Sequence, residues 1–271
     1  MNKQLTIGMF DSGVGGLTVL REVKQCLPQH SFIYFGDTGR CPYGPKGEST
    51  IIRYSLESCA FLIDQGIDLL VVACNTASAI ALNALQEAFD IPIIGMIEPA
   101  VRAVCESTTT ARIGVIGTRA TIASGVYQTQ LYTHLPHAVV TAIACPLFVP
   151  LIEERFPHPI ITQMIIHEYL HSFKEHKIDT LLLGCTHYAL LQPLIEKELA
   201  DTITVVNPAI PAAQIVRKIS EEFKNDENIQ DRKIKDKDSF FVSDDPERFR
   251  TIGEHFFGYP LPTIQCTQCS K

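Results

Sequence analysis

Aliphatic runs and amphipathic stretches alternate along most of the chain. Nearly continuous Val, Ile, Leu and Phe predict strands over 5–10, 32–35, 69–73, 91–95, 112–117, 139–144, 180–184 and 202–206. Runs that are apolar throughout suit strands covered on both faces of a sheet. Apolar positions at helical spacing predict helices over 15–26, 49–65, 77–88, 98–107, 160–176, 192–200 and 211–223. The charged stretch 224–238 reads as a surface loop. A last strand is expected over 240–242 and a last helix over 245–257, with Pro246 in its first turn. Strand and helix in alternation predict an α/β fold with mainly parallel sheets.

The pattern repeats weakly. Ile7-Gly8-Met9-Phe10-Asp11-Ser12 resembles Ile113-Gly114-Val115-Ile116-Gly117-Thr118, an offset of 106. Leu69 to Thr76 resembles Thr180 to His187, and places Cys74 against Cys185 at an offset of 111. Any two buried strands look alike, but that does not explain a Cys followed by an amide or hydroxyl residue at the end of both. Two pseudo-symmetric α/β domains facing an interdomain cleft are therefore expected. Gly and Pro punctuate the chain near 95–99 and 207–211. The expected boundaries are 1–97 plus 208–271 for the first domain and 98–207 for the second.

Composition narrows the function. Of 271 residues, 46% are hydrophobic and 20% charged, the balance of a globular protein. A net charge of -7 argues against a nucleic-acid partner, because the basic run near Arg232 to Lys237 is interrupted by acids. The longest apolar stretch, 138–152, falls short of a membrane span and contains Pro146 and Pro150. With no secretory signal and an odd nine cysteines, a reduced, cytoplasmic protein is expected.

Ligands of open α/β sheets bind beyond the carboxyl ends of the strands. Asp11-Ser12, Asp37-Thr38, Cys74-Asn75-Thr76 and Cys185-Thr186-His187 occupy such ends, and Thr118 to Thr121 add hydroxyls. A thiol near a helix N-terminus is shifted from its ordinary ~8.5 toward neutrality, where it gives or takes a proton. Inverting an α-carbon needs an acid and a base on opposite faces. One thiol from each half meets that geometry, with Asp11 and His187 as partners.

Seven blocks share a specific resemblance. They are Asp11-Ser-Gly-Val-Gly-Gly16, Gly36-Asp-Thr38, Cys41-Pro-Tyr-Gly44, Ala73-Cys-Asn-Thr76, Gly117-Thr-Arg-Ala-Thr121, Pro146-Leu-Phe-Val-Pro-Leu151 and Leu183-Gly-Cys-Thr-His-Tyr188. In order and over most of the chain, they resemble the glutamate racemases of the aspartate/glutamate racemase superfamily. His187 fits the glutamate enzymes, whereas aspartate racemases usually carry Glu there. The resemblance implies L-/D-glutamate as substrate, no pyridoxal phosphate or other cofactor, no metal, and D-glutamate supply for peptidoglycan. A homodimer is expected, with no membrane partner.

It also implies residue roles. Cys74 and Cys185 become the acid/base thiols, facing the α-protons of D- and L-glutamate respectively. Asp11, His187 and Glu153 assist them. Ser12, Pro42, Tyr43, Gly44, Asn75, Thr76, Thr118, Thr121 and Thr186 hold the substrate, together with Asp11, His187 and the thiols. Asn207-Pro208 departs from the usual acidic residue followed by Ser or Pro.

Three further signals carry less. The glycine-rich 11–16 segment lacks the lysine of a Walker loop and the dinucleotide spacing. Cys266 and Cys269 have zinc-pair spacing without a second pair, and read as an incidental tail. His167 and His171, one helical turn apart, lack a supporting acidic pattern in the sequence; with His134, His137, His158 and His176 they read as surface residues.

Overall fold

The computed structural model describes residues 4–156, 158–199, 203–223 and 238–267. The loop expected over 224–238 lies, except for Asp238, outside the described residues, as does Cys269.

In chain order the elements are β1 (Thr6–Asp11), α1 (Leu17–Cys26), β2 (Ser31–Gly36), α2 (Glu48–Asp64), β3 (Leu69–Val72), α3 (Asn75–Ile80), α4 (Leu82–Ala88), β4 (Ile93–Gly95) and α5 (Ile97–Ser107). The second half continues with β5 (Arg112–Gly117), α6 (Arg119–Ala123), α7 (Val126–His134), β6 (Val139–Ala144), α8 (Phe148–Glu153), α9 (Pro159–His176), β7 (Thr180–Gly184), α10 (Gln192–Leu199) and β8 (Thr204–Val206). Then come α11 (Ala209–Glu222), β9 (Ser239–Val242), α12 (Pro246–Phe257) and β10 (Ile264–Cys266).

The strands form two sheets, ordered β10-β9-β2-β1-β3-β4 and β6-β5-β7-β8. All pairings among them are parallel. The order β2-β1-β3-β4 maps onto β6-β5-β7-β8 strand for strand. The repeat read in the sequence is thus a repeat of topology: β1 corresponds to β5, and β3, which delivers Cys74, to β7, which delivers Cys185. Strands β9 and β10 join the first sheet beside β2, so the C-terminal segment packs with the N-terminal half.

Burial explains the uniformly apolar strands. Every residue of β1, β2, β3 and β7 is buried, with helices on both faces. The largest apolar cluster crosses between the halves, joining Val19 and Leu20 of α1 to Ile116, Phe173, Tyr188, Val216 and Phe256. Helix α12 starts where the Asp245 carboxylate accepts the Arg248 N–H at 3.0 Å. It stops at Gly258, whose φ of +81° suits a residue without Cβ.

The structure differs from the sequence reading in several places. The helix expected over 77–88 is two, interrupted at Ala81. The expected apolar 138–152 run divides into β6 and α8. Helices α6 and α7 are too short or too evenly polar for a periodicity signal. Strand β10 lies in the tail read as incidental; Cys266 there is exposed, and pairing with β9 rather than zinc spacing gives that tail its shape. His167 does have an acidic neighbour, Glu198 at 2.8 Å, contributed by α10 through tertiary packing. Even so, among the described residues no cluster of His, Cys, Asp or Glu has the makings of a metal site. Every described cysteine is free, and among the described residues no helix is long and apolar enough to cross a membrane.

Candidate active site

Two strand ends, β1 and β3, deliver the first wall. Asp11 is buried at the end of β1, and one carboxylate oxygen accepts the Gly13 N–H at 2.8 Å. The other, Oδ1, is buried with no hydrogen-bond partner. Burial raises the Asp11 pKa, with the charge of His187 pulling the other way. Cys74 caps α3: its Sγ accepts the Ala77 N–H at 3.4 Å and donates to Ser12 Oγ at 3.5 Å.

That cap was expected to bring the thiol toward neutrality, and it does pull that way. Burial and the Asp11 carboxylate outweigh it, and push Cys74 up to about 12. Cys185 stands near enough that its charge adds to the upward push. With these surroundings Cys74 is a protonated acid at neutral pH.

Cys185, at the end of β7, begins the second wall. Its Sγ lies 3.9 Å from His187 Nδ1, and Thr186 Oγ1 lies 3.4 Å from the same nitrogen. His187 Nε2 donates to the Glu153 carboxylate at 2.8 Å. Burial alone would lower the His187 pKa. The Cys185 sulfur and the Glu153 carboxylate more than reverse this, and hold it up at about 10. Glu153 is held below its ordinary value: burial opposes ionisation, but the His187 hydrogen bond and charge and then Arg248 win.

The sign of the stability effect follows. An imidazolium with a folded pKa near 10 and an ordinary value of 6.5 stabilises the fold fully below pH 6.5, and loses that contribution as pH rises through 10. Glu153 ionisation stabilises above its ordinary 4.5 and is lost as pH falls below that value. His187→Asn is accordingly expected to lower Tm by roughly 5 °C at pH 6. The gap to wild type should narrow steadily toward pH 10.5. A constant gap across this range in thermal melts counts against a charged His187.

Between the walls lie groups from both halves. Asn75 Oδ1 accepts the Tyr127 hydroxyl at 2.6 Å, which orients the amide, and its buried Nδ2 has no partner. Thr76, Thr118 and Thr121 bring their hydroxyls into a triangle with edges of 2.9, 3.2 and 2.9 Å. Gly44 is pressed on Thr118, and its carbonyl accepts the Ala120 N–H at 3.0 Å. The Tyr43 hydroxyl donates to Asp37 at 2.5 Å, so it is committed within the first half. Asp37 also accepts from Arg40 and Ser243, which fixes the loop carrying Pro42, Tyr43 and Gly44.

The glycine-rich segment after β1 reaches the opposite wall. A Cβ at Gly15 would fall 2.2 Å from Thr186 Oγ1 and 2.5 Å from His187 Nδ1. Thr18 ties the same places together, its hydroxyl lying 2.9 Å from Gly15 O and 3.1 Å from Thr186 O. The segment is thus a contact surface between the walls.

Outside lies a cavity of about 490 Å³, lined from the first half by Thr38, Pro42 and Arg248 and from the second by Thr118, Pro150 and Glu153. A second of about 200 Å³ shares Thr38, Cys41, Glu153 and Arg248 with it. Neither thiol lines either cavity, and the two are only 5% and 7% exposed. The cavities form a vestibule that neither thiol reaches.

Sequence reasoning passed over Tyr127, Arg40, Ser243, Arg248 and Phe256. Arg40 acts on Asp37 three residues away, but the other four act through partners far along the chain, Tyr127 on Asn75 and Phe256 on His187, so no local spacing marks them.

Known proteins resemble this chain over nearly its whole length. Residues 17–216 match the family model of the Asp/Glu/hydantoin racemases. A glutamate racemase of Geobacter metallireducens is 45% identical over 258 residues, spanning 95% of this chain and 94% of that protein. The fold superposes on a glutamate racemase isoform of Bacillus anthracis with a TM-score of 0.89 at 36% identity, over 99% of this chain and 98% of the other. It superposes on the Francisella tularensis glutamate racemase, solved in complex with D-glutamate, with a TM-score of 0.88 at 36% identity, again over 99% and 98%. The chain belongs to the Asp/Glu/hydantoin racemase family, and within it to the glutamate racemases.

Proposed function

We propose that the chain interconverts L- and D-glutamate by two-base proton transfer, with Cys74 and Cys185 on opposite faces of the α-carbon. The carrying observation is that two of the five buried polar atoms left without a partner among the described residues belong to Asp11 and Asn75, at the strand ends around Cys74. Asp11 Oδ1 is an unmatched acceptor and Asn75 Nδ2 an unmatched donor. Burying such groups unpaired is costly, so the site is built for a ligand that satisfies both. A zwitterionic amino acid does so, with its ammonium toward Asp11 and a carboxylate toward Asn75. The Thr76, Thr118 and Thr121 hydroxyls, Ser12, Thr186 and the 42–44 backbone complete the cradle.

The chemistry follows from charge. An α-proton is very weakly acidic, and abstracting it places charge on the adjacent carboxylate. Fixed donors there stabilise that charge where solvent is excluded. Bound ammonium beside Asp11 would offset the field that keeps Cys74 protonated, bringing it within reach of proton exchange. On the other wall the charged His187 faces the Cys185 sulfur at 3.9 Å and is placed to share a proton with it. One thiol takes the proton as the other gives one, and reversal restores the starting pair. No cofactor is required, because protein groups supply both the acid and the base.

Both thiols are buried, so substrate enters when the walls part. We assign the moving bodies as 1–97 with 208–271 and 98–207. The chemistry needs reduced thiols, which favours the cytoplasm, where D-glutamate would feed peptidoglycan synthesis. A homodimer is supported by the apolar strip of Phe156, Ile160, Ile161 and Met164, the last 65% exposed. Light scattering checks it.

The deciding experiment is incubation with L-glutamate in heavy water without pyridoxal phosphate. Racemisation should proceed with one solvent deuterium in each D-glutamate formed, and should survive a carbonyl-trapping reagent. Inversion without deuterium entry, or none at all, would overturn the reading.

A further inference from the structure

Helix α12 packs with the first half, yet two of its side chains converge on the Cys185 wall. Phe256 sets its ring edge against the His187 imidazole, at 5.1 Å between centroids and 82° between planes. Two turns earlier, Arg248 lines both vestibule cavities together with Glu153. Its guanidinium donates to Glu154 Oε1 at 2.8 Å, which anchors it beside the Glu153 carboxylate. A neighbouring arginine, Arg155, donates to the Thr251 carbonyl of α12 at 2.9 Å. His187 is thus held on one nitrogen by Glu153 and on its flank by Phe256, and Glu153 is faced by a cation from the other half.

We infer that Arg248 is a positioning residue for the Cys185 half of the reaction: from α12 it holds Glu153 ionised and oriented on His187, so that this acid/base side is complete only when the two halves are closed together. The inference rests on the racemase reading above, and extends it to a residue that touches neither substrate nor thiol.

Three observations support it. First, the Arg248–Glu154 hydrogen bond ties α12 to the end of α8 across the cleft, so parting the walls would take Arg248 away from Glu153. Second, the charges around Glu153 are asymmetric. His187 from the turn after β7 and Arg248 from α12 are cationic, while Asp11 from the first wall and Glu154 next in sequence are carboxylic acids; the Cys41 thiol, pushed well up by burial, is neutral. Without Arg248, only His187 would offset those acids. Third, the direction is consistent from both partners: Arg248 draws the Glu153 pKa down, and Glu153 draws that of Arg248 up. Arg248 is about half exposed, so screening keeps the effect modest.

The test compares Arg248→Gln, Arg248→Lys and Glu154→Gln. Relative to wild type, R248Q is expected to lower kcat/KM by up to about threefold below pH 4.5, where Glu153 takes up its proton, and much less at pH 7. The acid limb of its pH profile should rise by about half a unit. R248K should recover most of the loss, and E154Q should leave the limb in place. A bare interdomain latch predicts instead that R248Q and E154Q lose activity alike at every pH, and that result would overturn the assignment. A second readout needs no turnover. The Glu153 carboxyl carbon, followed by NMR, should titrate at higher pH in R248Q than in wild type. An unchanged Glu153 titration in folded R248Q rejects the inference even if wild type proves inactive on glutamate. Wild-type inactivity together with a shifted Glu153 would refute the racemase reading alone.

Discussion

Cys74→Ser and Cys185→Ser are each expected to lower racemisation by at least about 10³-fold in both directions. A serine hydroxyl keeps the size of the group but is a far weaker acid, so neither proton transfer at that wall has a competent partner. The two enantiomers have equal free energy in solution, so kcat/KM must fall equally from either side whichever thiol is lost. Rate comparisons therefore cannot assign a thiol to a face, whereas hydrogen exchange can. With Cys74 replaced, the two-base reading leaves Cys185 facing the L α-hydrogen. Any residual exchange with deuterated solvent should then come from L-glutamate, with retained configuration. Cys185→Ser should show the converse from D-glutamate. Mass spectrometry on each enantiomer separately reads this out. Exchange from both enantiomers in both variants, or full activity in either, removes the two-base assignment.

Gly15→Ala should cost about 10²-fold in kcat/KM although no functional group changes. Its new methyl would fall 2.2 Å from Thr186 Oγ1 and 2.7 Å from His187 Cε1, well inside contact distance. Both neighbours are short and buried, so they have little room to swing aside. The strain must displace the loop that follows Cys185 or hold the walls apart. A misplacement near 1 Å at a reacting group is enough for a loss of this size. Overpacking should also destabilise the fold by about 1–3 kcal/mol. Gly47→Ala is the control: nothing lies within 4 Å of its Cβ position, its φ is -74°, and activity should be unchanged. Wild-type kcat/KM in G15A would show that the 11–16 segment does not set the spacing of the walls.

The two variants probe different levels of legibility. Cys74 and Cys185 were visible in the sequence because each ends an aliphatic run, and the runs recur at offsets of 106 and 111. Strand ends matter in parallel sheets, so position along the strand carried chemical meaning before any fold was known. The part of Gly15 was not visible. It was read within a glycine-rich turn, whereas its constraint comes from residues more than 170 positions later. The pKa of Cys74 is not legible in the sequence for the same reason. A helix N-terminus is local and readable, but burial and the facing Asp11 carboxylate are tertiary, and they won.

By itself the sequence determined the parallel α/β class, the strand-end thiols and the doubled pattern, because periodicity and strand termini are properties of short segments. Tertiary structure alone decided which groups are charged, which polar atoms are left without partners, and how α12 reaches the Cys185 wall. Those outcomes depend on desolvation and on contacts between residues far apart in the chain, quantities that no local stretch of sequence contains.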